Sequence, residues 1–306
     1  MSHNHNHIHH SSSSSSGLSS TRNFRTVFLL NFGFTLFEIV GGILTNSIAI
    51  ISDALHDLGD SISIGLAWFL EGYSHKKSDN KYSYGYGRFS LLGALINAIV
   101  LMIGSTFVLA NAIPRIIKPE PTDANGMIIF AVVGVIVNGA AVFKLKNEES
   151  LNARVMMLHL LEDVLGWVAI LAVAITLLFW PTYILDAILS IIITLYILFN
   201  VTVNLKKTIS LFLQATPENI NLDLIDQKLK SIDRVISSHH THVWSLDGAN
   251  HILTTHLTIN KNTTREEILK IKAKCKQLFE DLRLTHFTIE IELEDEVCLM
   301  EDEHHH

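Results

Sequence analysis

Two histidine–aspartate pairs, His56 with Asp60 and His159 with Asp163, stand four residues apart within stretches that are otherwise apolar. On a helix, positions i and i+4 share a face. Ionisable groups at membrane depth are costly and mark a pathway or a binding site. Two helices that each offer a histidine and an aspartate supply four N/O ligands, the number that a tetrahedral Zn²⁺ site takes. The run Ser52-Asp53-Ala54-Leu55-His56-Asp57-Leu58-Gly59-Asp60 also puts Asp53 and Asp57 on the same broad stripe. Imidazole and carboxylate suit Zn²⁺ and, to a lesser degree, Cd²⁺, Co²⁺ or Fe²⁺, and the absence of a thiolate in these stretches argues against Cu⁺. The same residues also fit two plainer roles, pairing that holds helices together and a proton relay without metal. Metal and proton roles are compatible, because ligands shed protons to bind a cation and histidine titrates near neutrality. A metalloenzyme would need an open coordination position and a general base, as in H-E-x-x-H, and no such motif occurs.

These pairs must be held by spans. The chain has 306 residues, 48% hydrophobic and only 17% charged, with mean hydropathy +0.32. Soluble domains carry about 25% charge, so a large membrane fraction is expected. The net charge of −7 and the lack of a basic block speak against nucleic acid as a partner. Six apolar segments of spanning length are read at 24–45, 47–70, 89–113, 126–145, 153–179 and 183–205. Arg22 and Arg25, Lys76 to Arg88, Lys144 to Arg154, and Lys206 with Lys207 fall on one side, with only Arg115 and Lys118 on the other. The positive-inside rule then puts both termini in the cytoplasm.

From about Thr216 the pattern becomes that of a small soluble domain of order αββαβ. A helix over 218–232 is followed by strands at 240–247 and 250–259, a helix opened by the capping box Thr264-x-x-Glu267, and a strand at 285–293. The expected organisation is a His/Ser-rich tail over 1–20 without structure, a six-helix membrane domain over 21–210, a cytoplasmic domain over 211–295, and an acidic, His-ended tail over 296–306. A domain of this size gains from dimerisation. Cys275 lies on the apolar helix face and reads as core. Cys298, in the acidic tail, is either a thiol without a bonded role or a metal ligand.

With these motifs in order, the sequence resembles the cation diffusion facilitator family over nearly all of 21–295. The carriers are Asp53-Ala54-Leu55-His56 through Asp60, His159 to Asp163, His239-His240-Thr241-His242-Val243-Trp244, Thr254-Thr255-His256, and Thr288-Ile289-Glu290-Ile291-Glu292. The resemblance implies a homodimeric secondary transporter in the lipid bilayer, not an enzyme, that exports Zn²⁺ in exchange for protons. His56, Asp60, His159 and Asp163 would form the transport site, with Asp53 and Asp57 as accessory groups. The cytoplasmic domain would be ferredoxin-like and sense Zn²⁺ as a regulatory ligand through His239, His256 and Glu292, with His240, His242 and His286 near enough to substitute. No organic cofactor is implied. Family members with a further metal site between spans two and three carry histidines in an H-x-F-G-H segment. Here that segment is Tyr82-Ser83-Tyr84-Gly85-Tyr86, so no metal is expected there, with His75 alone unable to rebuild the site. The N-terminal His3, His5, His7, His9 and His10 would collect metal weakly. The short link between spans four and five leans toward a bacterial inner membrane. The alternatives are the same fold with Cd²⁺, Co²⁺, Fe²⁺ or Mn²⁺ as cargo, or a membrane metal sensor.

Overall fold

The computed structural model describes residues 16–74, 76, 78–145, 151–298 and 300. The histidine runs at both ends and His75 lie outside these residues. The chain divides into two compact units, one holding residues up to Gly72 with Ile96–Val203, the other Tyr73–Leu95 with Asn204 onward.

The first unit is built on six long helices: α1 (Ser16–Thr45), α2 (Ile48–Ser74), α3 (Phe89–Ile117), α4 (Ala124–Leu145), α5 (Leu151–Phe179) and α6 (Ile184–Phe212). α1 begins at Ser16, so the end of the 1–20 tail is helical, contrary to expectation. Extending an existing helix costs far less than starting one. α6 likewise runs seven residues past the expected 205, through Lys206 and Lys207, because lysine is a good helix former.

Five of the six helices are long and apolar enough to cross a membrane: α1 over Phe28–Thr45, α3, α4, α5 over Met157–Phe179, and α6. α2 has comparable length but places Asp53, Asp57 and Asp60 in its first half. Of the six expected spans, α2 is the one that length and composition alone do not single out. Its acidic stripe is turned inward, with Asp53 and Asp57 both buried. The apolar surface is turned outward: Leu30 is 70% exposed, Phe143 67% and Phe199 68%. A soluble protein would hide such residues, whereas hydrocarbon accepts them.

Close packing and polar seams fix the helices. A Cβ at Gly134 of α4 would lie 2.2 Å from the Trp167 ring of α5, so only glycine admits the buried indole. Gly41 of α1 admits Phe130 of α4 in the same way, at 2.5 Å. Asn31 of α1 donates to Ser61 Oγ of α2 at 3.0 Å and to the Asp57 carbonyl at 3.3 Å. Ser52 of α2 and Thr194 of α6 share a hydrogen bond of 2.7 Å.

The second unit carries α7 (Leu222–Lys230), β1 (Val235–Ser245), β2 (His251–Ile259), α8 (Arg265–Leu278) and β3 (Leu284–Leu293). The sheet order is β1-β2-β3, with β1 antiparallel and β3 parallel to β2. A parallel neighbour needs a crossover, and α8 provides it. Thr264 and Glu267 close the capping box as expected. Ile225, Leu229, Leu253, Leu257, Ile271 and Phe279 make the core, and Cys275 is fully buried among them.

Candidate metal centres

α2 and α5 each deliver their histidine and aspartate from consecutive turns. His159 Nε2 lies 2.9 Å from Asp60 Oδ2. His56 Nε2 lies 3.9 Å from Asp60 Oδ2 and 3.8 Å from Asp163 Oδ1. One ligand atom each from His56, His159 and Asp163 falls within 4.8 Å of the others. Asp60 Oδ2 and Asp163 Oδ1 are buried and make no hydrogen bond of good geometry, although histidine nitrogens stand close by. Oxygens left unsatisfied inside a ring of imidazoles suit a cation. His56, His159 and Asp163 thus group from two helices, and Asp60 stands against both imidazoles.

Asp53 and Asp57 do not join this group of ligand atoms. They are buried on the same helix beside Glu38 of α1, which is itself fully buried. Glu38 is a lone acid in an apolar run, and that was the available signal. Asp186 is buried at the start of α6. It binds Ser47 Oγ and the Ile48 and Ala49 amides at the start of α2.

In the second unit, β1 places His239 directly opposite His256 of β2. A register shift follows between His239 and His242, where His240 has a left-handed φ of 47°. Such a bulge re-aims side chains, and it gathers three imidazoles with centroids 5.2–5.3 Å apart: His239, His240 and His256. Glu292 of β3 reaches both strands, with Oε2 3.0 Å from His239 Nε2 and Oε1 2.8 Å from His256 Nδ1. Burial raises the Glu292 carboxyl, but hydrogen bonds from His256 and Cys298 outweigh it, and the net shift is below the usual carboxylate range. Burial first, then His256, His239 and His242, hold His240 below the ordinary imidazole value. An ionised carboxylate and a neutral imidazole are the forms that bind metal. His239 Nε2 has no hydrogen bond of good geometry, so the group fits a cation.

Two accessory candidates lie elsewhere. His242 is exposed and pairs with Thr254 in the ladder. His286 is exposed and stands edge-on to the Tyr84 ring at 5.0 Å. Cys298 instead enters the group, with Sγ 3.6 Å from His256 Nδ1. Only the fold-back of the tail could reveal this.

Between α2 and α3, Asp79 is fully engaged. Its Oδ1 accepts from the Lys81 and Tyr82 amides at 2.9 and 2.8 Å, and its Oδ2 accepts from Tyr86 Oη at 2.6 Å. Lys76 Nζ donates to Tyr86 Oη at 3.2 Å. These hydrogen bonds, with that from Tyr86 first, hold the Asp79 carboxyl well below the usual range.

Comparison with known proteins agrees with both units. Residues 25–213 match the cation efflux transmembrane domain, and residues 217–294 match the cytoplasmic domain of cation efflux proteins. The chain is 31% identical over 297 residues to the cadmium, cobalt and zinc/H(+)-K(+) antiporter of Bacillus subtilis (strain 168), covering 91% of this chain and 94% of the relative. It is 30% identical over 275 residues to the metal cation efflux system protein CzcD of Cupriavidus metallidurans, covering 89% and 86%. It is 28% identical over 279 residues to the zinc transporter ZitB of Escherichia coli (strain K12), covering 90% and 88%. Helices of spanning length, inward acids and matches to both domains along almost the whole chain make this an integral membrane protein of the cation efflux family, the cation diffusion facilitators.

Proposed function

We propose that this protein exports divalent cations, chiefly Zn²⁺, from the cytoplasm in exchange for protons. The observation that carries the reading is the meeting of His56 and Asp60 from α2 with His159 and Asp163 from α5. Two imidazoles and two carboxylates complete a tetrahedron around Zn²⁺ and leave no open position for hydrolytic chemistry. A cation arriving from the cytoplasm displaces protons from these groups. Protons arriving from the other side displace the cation. Because the ligands are split between two helices, a rocking of one against the other can expose them alternately to each side.

In this reading α2 is the sixth span. Its cost in hydrocarbon is offset by turning Asp53, Asp57 and Asp60 toward the bundle. Both termini face the cytoplasm of a bacterial inner membrane. The membrane domain occupies 21–210, the cytoplasmic domain 211–295 folds in the ferredoxin-like manner and pairs with a second copy, and 296–306 follow as a tail. His239, His256 and Glu292 hold a regulatory cation. The names of the relatives favour cadmium and cobalt as further cargo, which the borderline N/O ligand set accommodates.

The test is Zn²⁺ flux into proteoliposomes under an imposed pH gradient, with wild type beside Asp163→Ala. Gradient-driven flux abolished by the substitution supports coupled exchange through this site. Zn²⁺ binding without flux in the folded wild type overturns export and favours a membrane metal sensor. Flux unchanged by the substitution places the transport site on other residues.

A further inference from the structure

We propose that Cys298 is the fourth ligand of the cytoplasmic centre, and that its thiolate biases this centre toward thiophilic cations such as Cd²⁺, which the sulfur-free transport site does not share. The proposal rests on the reading of His239, His256 and Glu292 as a regulatory centre. Four residues, Glu294 to Val297, separate the end of β3 from Cys298. The tail turns back at once: Glu296 N donates to the Leu293 carbonyl at 2.9 Å, Leu293 N donates to Glu296 Oε2 at 2.7 Å, and Glu294 N donates to the Ile259 carbonyl at 3.0 Å. These bonds carry the thiol over the ends of β2 and β3, where Cys298 is 9% exposed although Glu294 to Val297 are open to solvent.

The geometry is already close to a coordination shell. With metal–nitrogen near 2.0 Å and metal–sulfur near 2.3 Å, a tetrahedron has ligand–ligand edges of roughly 3.3–3.6 Å. Here His239 Nε2 to Glu292 Oε2 is 3.0 Å, His256 Nδ1 to Glu292 Oε1 is 2.8 Å, and His256 Nδ1 to Cys298 Sγ is 3.6 Å. One ligand atom from each of the four residues lies within 4.8 Å of the rest. With every edge at or under 4.8 Å, shifts of up to about an ångström would seat an ion. His240 and Glu290 flank the group, with Glu290 Oε2 3.3 Å from His256 Nε2.

Ligand softness separates the two centres. Two nitrogens and two oxygens rank first-row cations mainly by the general affinity order, whereas a thiolate adds a term that grows with the polarisability of the metal. The cytoplasmic centre would then fill with Cd²⁺ ahead of Zn²⁺, and with both ahead of Co²⁺. The transport site would discriminate less among the three.

The test uses the full-length protein in detergent with Asp60→Ala and Asp163→Ala in the background, so that the transport site does not compete. Cd²⁺ is titrated while the ultraviolet thiolate-to-metal charge-transfer band is followed, and Cd²⁺, Zn²⁺ and Co²⁺ affinities are compared. The expected result is a sulfur band that disappears in Cys298→Ser, persists in Cys275→Ser, and is accompanied by a loss of at least tenfold in preference for Cd²⁺ over Co²⁺. Cd²⁺ binding that His256→Ala abolishes, but without a sulfur band or unaffected by Cys298→Ser, overturns the proposal and leaves the histidine–glutamate centre standing. Binding indifferent to His256→Ala overturns the centre itself.

Discussion

Asp186 Oδ1, at the start of α6, accepts a hydrogen bond of 2.5 Å from Ser47 Oγ, the residue just before α2. Its other oxygen accepts from the Ile48 amide at 2.8 Å. Helix α2 therefore begins on a carboxylate supplied by another helix. The first amides of a helix lack partners within it, and a buried start needs an acceptor from elsewhere. The negative charge also suits the positive end of the helix dipole. Two turns further along α2 stands His56, and with Ser52 bonded to Thr194 the same helix pair sets its height.

Asp186→Ala should destabilise the folded protein by about 1.5–3 kcal/mol, the range for hydrogen bonds to a charged group. Asp186→Asn, which keeps one acceptor for the Ile48 amide, should recover part of that loss. Thermal unfolding in detergent reads both. An unchanged midpoint in the alanine variant would show that the clamp does not hold α2.

Gly134→Ala should cost about 1–3 kcal/mol through overpacking, because the new Cβ would overlap the Trp167 ring. Trp167 follows Asp163 by one turn of α5, so cation affinity should fall as well. Gly139 on the same helix has open space around its Cβ, and Gly139→Ala should be neutral or gain up to about 1 kcal/mol from helix propensity. Equilibrium cation binding together with unfolding midpoints separates the two sites.

Acid should loosen the turn between β1 and β2. Burial raises the Asp247 carboxyl, but hydrogen bonds from the Asn250 amide, the Asn250 side chain and the Ala249 amide outweigh it, so its folded value lies below the ordinary one. A lowered carboxylate contributes stability that is fully present above the unfolded value of about 3.9 and is lost as pH falls through the folded value. Amide exchange at Gly248 to Asn250, corrected for its intrinsic pH dependence, should be flat between about pH 5 and 7 and lose protection only in stronger acid. Asp247→Asn should show the loosened turn already at neutral pH.

The segment between α2 and α3 should not depend on metal for its order. Asp79, Tyr86 and Lys76 already bind one another. Stripping the protein with a chelator should leave protease cleavage within Asp79–Arg88 unchanged, while Tyr86→Phe should speed it severalfold. Chelator-sensitive cleavage that tracks added Zn²⁺ in the wild type would reinstate a metal site there.

The meeting of His56 and Asp60 with His159 was legible because its signal is local. A histidine and an aspartate four residues apart meet on a helix face whatever the fold, and an ionisable group in an apolar run must turn inward. The αββαβ order and the Thr264–Glu267 cap were readable for the same reason, since hydrophobic period and capping residues act over a few positions. Ligands brought together by a bulge or a returning tail leave no such trace. His240 and His242 are equivalent in sequence, yet the shift after His239 puts one beside His256 and leaves the other opposite Thr254.

By itself the sequence determined the membrane fraction, the two histidine–aspartate pairs and the helix-strand order of the soluble domain, because hydropathy and i,i+4 spacing are properties of short segments. Tertiary structure alone decided that Cys298 returns to His256, that Asp186 anchors the start of α2, and that Asp53 and Asp57 stand beside Glu38 apart from the group of His56, His159 and Asp163. Each of these joins residues far apart in the chain, and their distance is set by how helices and strands pack, which no local pattern encodes.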